Sequence, residues 1–217
     1  MVKKTDNDIL INILLDRSGS MGGYEKDVIG HFNAYIDEQK ELPGKATVSL
    51  VLFDDRYEQV YLGKDIAEVP ALTKDTYYVR GSTAYLDALG RLVKSVDALT
   101  NKPKKVVFVI NTDGYENASR EFNRTQIKEI ITERTNNHDW QFVFIGAGID
   151  AFESVKDLGF NFLSVHASPS NANGGVEDSY NNLSRSTTNY RSGVTATMDF
   201  TNPDDDEDKT KKVTTGR

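Results

Sequence analysis

The chain contains no cysteine, which excludes disulfides, thiolate nucleophiles and zinc–thiolate sites together. Positive charge is in deficit: 26 Lys and Arg stand against 33 Asp and Glu, for a net charge of −7. That balance argues against nonspecific nucleic-acid binding, which depends on cations neutralising phosphates. Long apolar runs are missing too, and none approaches the roughly 20 residues that a membrane-spanning helix needs. The basic start, Met1 to Asp8, leads into a run of about seven apolar residues interrupted by Asn12, which reads as a strand and not as a signal peptide. A soluble, cytoplasmic protein with neither a membrane nor a nucleic-acid partner is therefore expected, and the sequons at Asn117, Asn123 and Asn182 are read as chance. What remains is a chain of 217 residues, 38% hydrophobic and 27% charged, enough for one sizeable α/β core with appendages.

The run Ile9 to Leu15 is rich in β-branched residues and short enough for a buried strand. It delivers Asp16 at its carboxyl end. Asp16, Ser18 and Ser20 then alternate along a loop that Gly19 allows to bend, so one carboxylate and two hydroxyls can converge. Three hard oxygens suit Mg2+ or Mn2+ better than zinc or copper. Val28, Ile29, Phe32, Tyr35 and Ile36 recur with helical spacing, and Thr47 to Phe53 reads as a second strand. The turn Asp54-Asp55-Arg56 is too short for a parallel crossover, so Glu58 to Leu62 must run antiparallel to that strand. A helical stripe from Leu86 to Leu99 follows Gly81-Ser82-Thr83-Ala84, and the strand Val106 to Ile110 leads to Asn111-Thr112-Asp113-Gly114. A helix beginning near Ser119 places Phe122, Ile127, Ile130 and Ile131 on one face, ahead of a strand from Trp140 to Ile145 and a short one from Phe160 to Val165. Val176, Tyr180, Leu183 and Tyr190 mark a last helix. Val194 to Phe200 alternates with period two and reads as a possible extra strand, and the charged segment Asn202 to Arg217 reads as disordered.

Strands alternating with helices imply a Rossmann-like three-layer α/β sandwich, with a mostly parallel central sheet, one antiparallel edge strand and helices on both faces. The expected organisation is an N-terminal extension over 1–8, one domain over 9–190 and a C-terminal extension over 191–217. In such folds ligands bind at the carboxyl ends of the strands, where Asp16 and Asp113 both fall.

Asp-x-Ser-x-Ser after a buried strand, a Thr opening a later helix and an Asp closing a further strand, in that order, resemble the metal-ion-dependent adhesion site of von Willebrand factor A domains, as in intracellular bacterial or phage-type members. The resemblance covers about residues 9 to 190. It implies that Ser18, Ser20 and Thr83 contact a cation through their hydroxyls, with Asp16 and Asp113 acting directly or through water. It implies Mg2+, with Mn2+ or Ca2+ as alternatives, and a protein partner whose Glu or Asp completes the octahedron. Neutral hydroxyl ligands leave the divalent charge incompletely compensated, so attraction of an outside carboxylate also follows from electrostatics. Some bacterial relatives work beside motor ATPases, and the chain has no Walker motif, so any ATPase would be a separate chain. Tyr24, Arg17, Tyr85, Tyr115 and Glu116 flank the three segments as candidates for the contact rim. A monomer or weak self-association is expected.

Competing readings are weaker. Standing alone, Thr83 at a helix start could serve as an N-cap. An Asp after the first strand could be the nucleophile of an Mg2+-dependent phosphatase of the haloacid dehalogenase type, but the general acid that chemistry requires two residues on is here Ser18. Gly146 to Ala151 matches G-x-G-x-x-A, yet no acidic residue ends the following strand to hold a ribose. The three histidines, His31, His138 and His166, form no recognisable triad. A self-assembly role would use the acidic run Asp204 to Asp208 as the carboxylate source.

Overall fold

In the computed structural model, residues 7–112, 115–146, 155, 157, 158, 160, 174–198 and 200 are described, with side chains in the last helix from Asp178 onward. Five strands form one sheet: β1 Ile9–Asp16, β2 Ala46–Phe53, β3 Tyr57–Asp65, β4 Lys105–Asn111 and β5 Gln141–Ile145. Their order is β3-β2-β1-β4-β5. β1 pairs in parallel with β2 and β4, β4 pairs in parallel with β5, and β3 runs antiparallel at the edge. The α-helices described over their length are α1 Glu25–Lys40, α2 Tyr85–Asp97, α3 Arg124–His138 and α4 Gly174–Ser192, with short 3-10 turns at Gly19–Met21 and Ile66–Glu68.

β1 is buried along its whole length because both faces of the sheet are covered. Alternate residues point to opposite faces of a strand. Ile9, Ile11, Ile13 and Leu15 accordingly pack with α1 and α4, whereas Leu10 and Leu14 pack with α2 and α3. This is the expected three-layer architecture. Arg191, buried near the end of α4, clamps that helix to the end of α1 by donating through Nη1 to the Gln39 carbonyl at 2.7 Å and to its Oε1 at 3.1 Å.

Two expected elements differ. α3 begins at Arg124, not near Ser119, because Asn123 accepts from the Gln126 N–H and the Gln126 side chain accepts from the Asn123 N–H, a reciprocal cap that fixes the first turn. Among the described residues, Val194 to Met198 form no strand: Gly193 turns at φ +76°, and residues 194–197 form a series of bends. Met198 and Phe200 do point inward with period two, but the Met198 N–H goes to the Gln141 side chain at 3.2 Å instead of to a neighbouring strand. Residues 161–165, the expected glycine turn beyond Gly146, His166 and residues 201–217 lie outside the described residues.

Candidate metal centre

β1, the central strand, carries Asp16 to the carboxyl end of the sheet, where β4 ends beside it. The Asp16 side chain is fully buried. Its Oδ1 accepts from the Ser18 N–H at 2.6 Å, and its Oδ2 accepts from the Thr112 hydroxyl. The carboxylate is therefore fixed between its own loop and the end of β4. Ser18 is buried, Ser20 is exposed, and their hydroxyl oxygens stand 3.1 Å apart at the start of a short 3-10 turn, Gly19–Met21. In an octahedron with metal–oxygen bonds of about 2.1 Å, neighbouring oxygens lie about 3.0 Å apart. The two hydroxyls, hydrogen-bonded to each other here, lie at a spacing that adjacent ligands can keep, and the donor set of a carboxylate and hydroxyls fits a hard divalent cation.

Thr83 lies on the neighbouring loop. Its backbone N–H donates to Asn117 Oδ1 at 2.9 Å, and its carbonyl accepts from the Asn117 and Ala118 N–H groups. The helix-cap alternative does not hold, because the N-cap position of α2 is Ala84 and no side chain caps it there. Thr83 is buried, and its loop is tied to the first by the Gly19 N–H donating to the Gly81 carbonyl at 3.1 Å and the Arg80 N–H donating to the Arg17 carbonyl at 2.7 Å. Asp113 lies outside the described residues. Its neighbours frame the site all the same: Thr112 touches Asp16, and Asn111 donates to the Tyr180 hydroxyl at 2.9 Å. Burial pushes that hydroxyl up to about 12, against the effect of the Asn111 bond, so it stays protonated.

A second set of residues, not foreseen in the sequence, holds these loops in place. Asp54, fully buried at the end of β2, accepts through Oδ2 from Arg17 Nε at 3.0 Å and from Arg80 Nε at 2.6 Å, and through Oδ1 from the Arg56 N–H at 2.6 Å. Arg17 also donates to Glu58 at 2.6 Å. Burial alone would raise the Asp54 pKa, but the hydrogen bonds from Arg80 and Arg56 and the charges of Arg17 and Arg80 outweigh it, so the carboxyl titrates below its ordinary range. On the other side, Glu116 accepts from the Leu86, Ala118 and Ser119 N–H groups, which docks the segment after residue 114 on the start of α2. Of the expected rim residues, Arg17 and Tyr85 are buried and Glu116 is engaged in this way, which leaves Tyr24 and Tyr115 exposed. The expected rim was too wide because adjacency in sequence does not say which way a side chain points.

Among the described residues no group of three His, Cys, Asp or Glu side chains converges. His31 stacks on Tyr180, and His138 ends α3 beside Glu133.

A von Willebrand factor type A protein from Catenulispora acidiphila superposes with a TM-score of 0.56 at 15% identity, over 83% of this chain and 43% of that one. The manganese-loaded TRAP protein of Plasmodium vivax superposes with a TM-score of 0.51 at 19% identity, over 65% of this chain and 57% of that one. The chain has the von Willebrand factor A fold. It spans less than two thirds of the length of either neighbour. No family model matches the sequence, and no curated protein matches it. Within the von Willebrand factor A fold, Asp16 and the paired hydroxyls stand at the carboxyl end of the central strand. No helix among the described residues is long and apolar enough to cross a membrane.

Proposed function

We propose that this chain is a divalent-metal-dependent protein-binding module. Asp16, Ser18, Ser20, Thr83 and Asp113 hold Mg2+, with Mn2+ or Ca2+ as possible substitutes, and a Glu or Asp of a separate protein completes the coordination. The observation that carries this reading is the 3.1 Å separation of the Ser18 and Ser20 hydroxyls beside the anchored Asp16 carboxylate, the spacing of adjacent oxygens around such an ion. The manganese-loaded state of the TRAP protein, which shares the fold, supports the same ion class. Hydroxyl ligands leave the ion electron-poor toward an incoming carboxylate, so the metal serves as the bridge between proteins and not as a catalyst.

The test measures Mn2+ binding by electron paramagnetic resonance on wild type and on the Asp16→Ala variant, alongside pull-down of proteins from the native lysate in Mg2+ and in chelator. Saturable binding lost in Asp16→Ala, together with a protein retained only by wild type in Mg2+, is the expected result. Retention that is equal in chelator and in the variant overturns the reading.

A further inference from the structure

Five large hydrophobic side chains are exposed among the described residues: Tyr24, Val60, Tyr78, Tyr115 and Val194. Three of these are tyrosines on the loops that surround Asp16. Tyr24 follows the 3-10 turn and donates its N–H to the Met21 carbonyl. Tyr78 lies just before the Thr83 loop, with the guanidinium carbons of Arg17 and Arg80 5.8 and 5.6 Å from its ring centre. Tyr115 precedes Asn117 and Ala118, whose N–H groups hold Thr83. The other exposed residues of segments 17–24 and 78–84 are glycines and serines.

Ionised groups are scarce on the first two of these loops, and those that border the tyrosines are of mixed sign: Glu25, Lys26 and Asp27 after Tyr24, and Glu116, Arg120 and Glu121 after Tyr115. Segments 17–24 and 78–84 contain no Lys, Asp or Glu. Their charged residues, Arg17 and Arg80, are buried and one-third exposed respectively, and the two are balanced by Asp54, which pairs with both, and by Glu58, which pairs with Arg17. The exposed charges of the adjoining β2–β3 turn, Asp55 and Arg56, are of opposite sign. Tyr, Ser and Gly with few charges is the composition of protein-recognition loops: tyrosine gives a large, rigid, amphipathic contact at small entropic cost, and the small residues let a partner approach closely.

We infer that Tyr24, Tyr78 and Tyr115 form the partner-binding rim of the metal centre, and that its occupant is a protein segment presenting one carboxylate flanked by apolar or small uncharged side chains. The inference rests on the metal-bridged reading above and adds the chemistry of the partner to it. The carboxylate meets the ion, and its neighbours pack on the tyrosine rings. A run of further carboxylates beside it is disfavoured, because the charges that border the rim are of mixed sign and no cluster of cations is there to receive it.

The experiment selects constrained loops from a phage-displayed random peptide library on the full chain in Mg2+ and elutes them with chelator. Selected peptides are then titrated against wild type and against Tyr24→Ala, Tyr78→Ala and Tyr115→Ala, with Mn2+ affinity measured on every variant. The expected peptides carry a single Asp or Glu between apolar or small residues. Each tyrosine variant weakens them roughly tenfold or more and leaves Mn2+ affinity unchanged. Wild type that does not bind Mn2+ overturns the metal-bridged reading and this inference with it. Mn2+ binding with no chelator-eluted peptide, peptides bearing runs of carboxylates, or peptides whose affinity the three variants leave unchanged overturn the rim alone.

Discussion

At Asp54 one buried carboxylate receives two guanidinium groups and a backbone N–H. Removing one partner of a buried ion pair leaves the other charge without compensation, at a cost of about 3–5 kcal/mol. Asp54→Asn is expected to destabilise the chain by up to that order at pH 7, measured by urea unfolding, because Arg17 stays buried with only the half-exposed Glu58 to pair it. The pH dependence has a definite sign. The Asp54 carboxyl titrates below its ordinary range in the folded chain, so its contribution is complete above the unfolded-state value of about 3.9 and is lost as pH falls through the lower folded value. Unfolding free energies of wild type and Asp54→Asn should therefore converge as the solution is acidified below about pH 4; a difference that stays constant down to pH 2 would refute the assignment. In the sequence Asp54 looked like a turn residue and nothing more. Its partners Arg17 and Arg80 lie 37 and 26 positions away, a separation at which no periodicity or local motif links side chains. The placement of Asp16, Ser18 and Ser20 together at the end of β1 was legible because strand and loop geometry is local.

The elements follow the same division. The five strands and the helices on both faces could be read from apolar runs and helical stripes, but the start of α3 could not. Phe122 fits the helical stripe in sequence, yet it lies in the loop before the Asn123 cap and packs against α2. Gly90 makes room for it: a Cβ at that position would lie 2.6 Å from the Phe122 ring. On helix propensity alone Gly90→Ala would stabilise α2 by about 1 kcal/mol. The clash is expected to reverse the sign, since forcing extra volume into packed side chains costs about 1–3 kcal/mol. A lower thermal midpoint for Gly90→Ala is the predicted outcome, and a higher one would show that Phe122 yields freely. The bends at 194–197 were hidden for a related reason. Period two reports which residues are buried, and Met198 and Phe200 are, but it does not report where the backbone donors go.

For the whole molecule, the loops of the candidate metal centre come from distant parts of the chain and meet only because β1 lies between β2 and β4. Bound Mg2+ should raise the thermal midpoint of wild type and leave Asp16→Ala unchanged, with about 2.7 kcal/mol gained at one hundred times the dissociation constant. The β1–β4 pairing that brings Thr112 to Asp16 joins residues 96 positions apart. Such long loops must close before any ligand set exists, so closure is expected to govern the rate of folding, and a cation held by the proposed site would arrive after the barrier. Refolding traces by stopped-flow should therefore overlay in Mg2+ and in chelator while unfolding slows in Mg2+, which makes the cation a lock on the finished fold and not a template for making it.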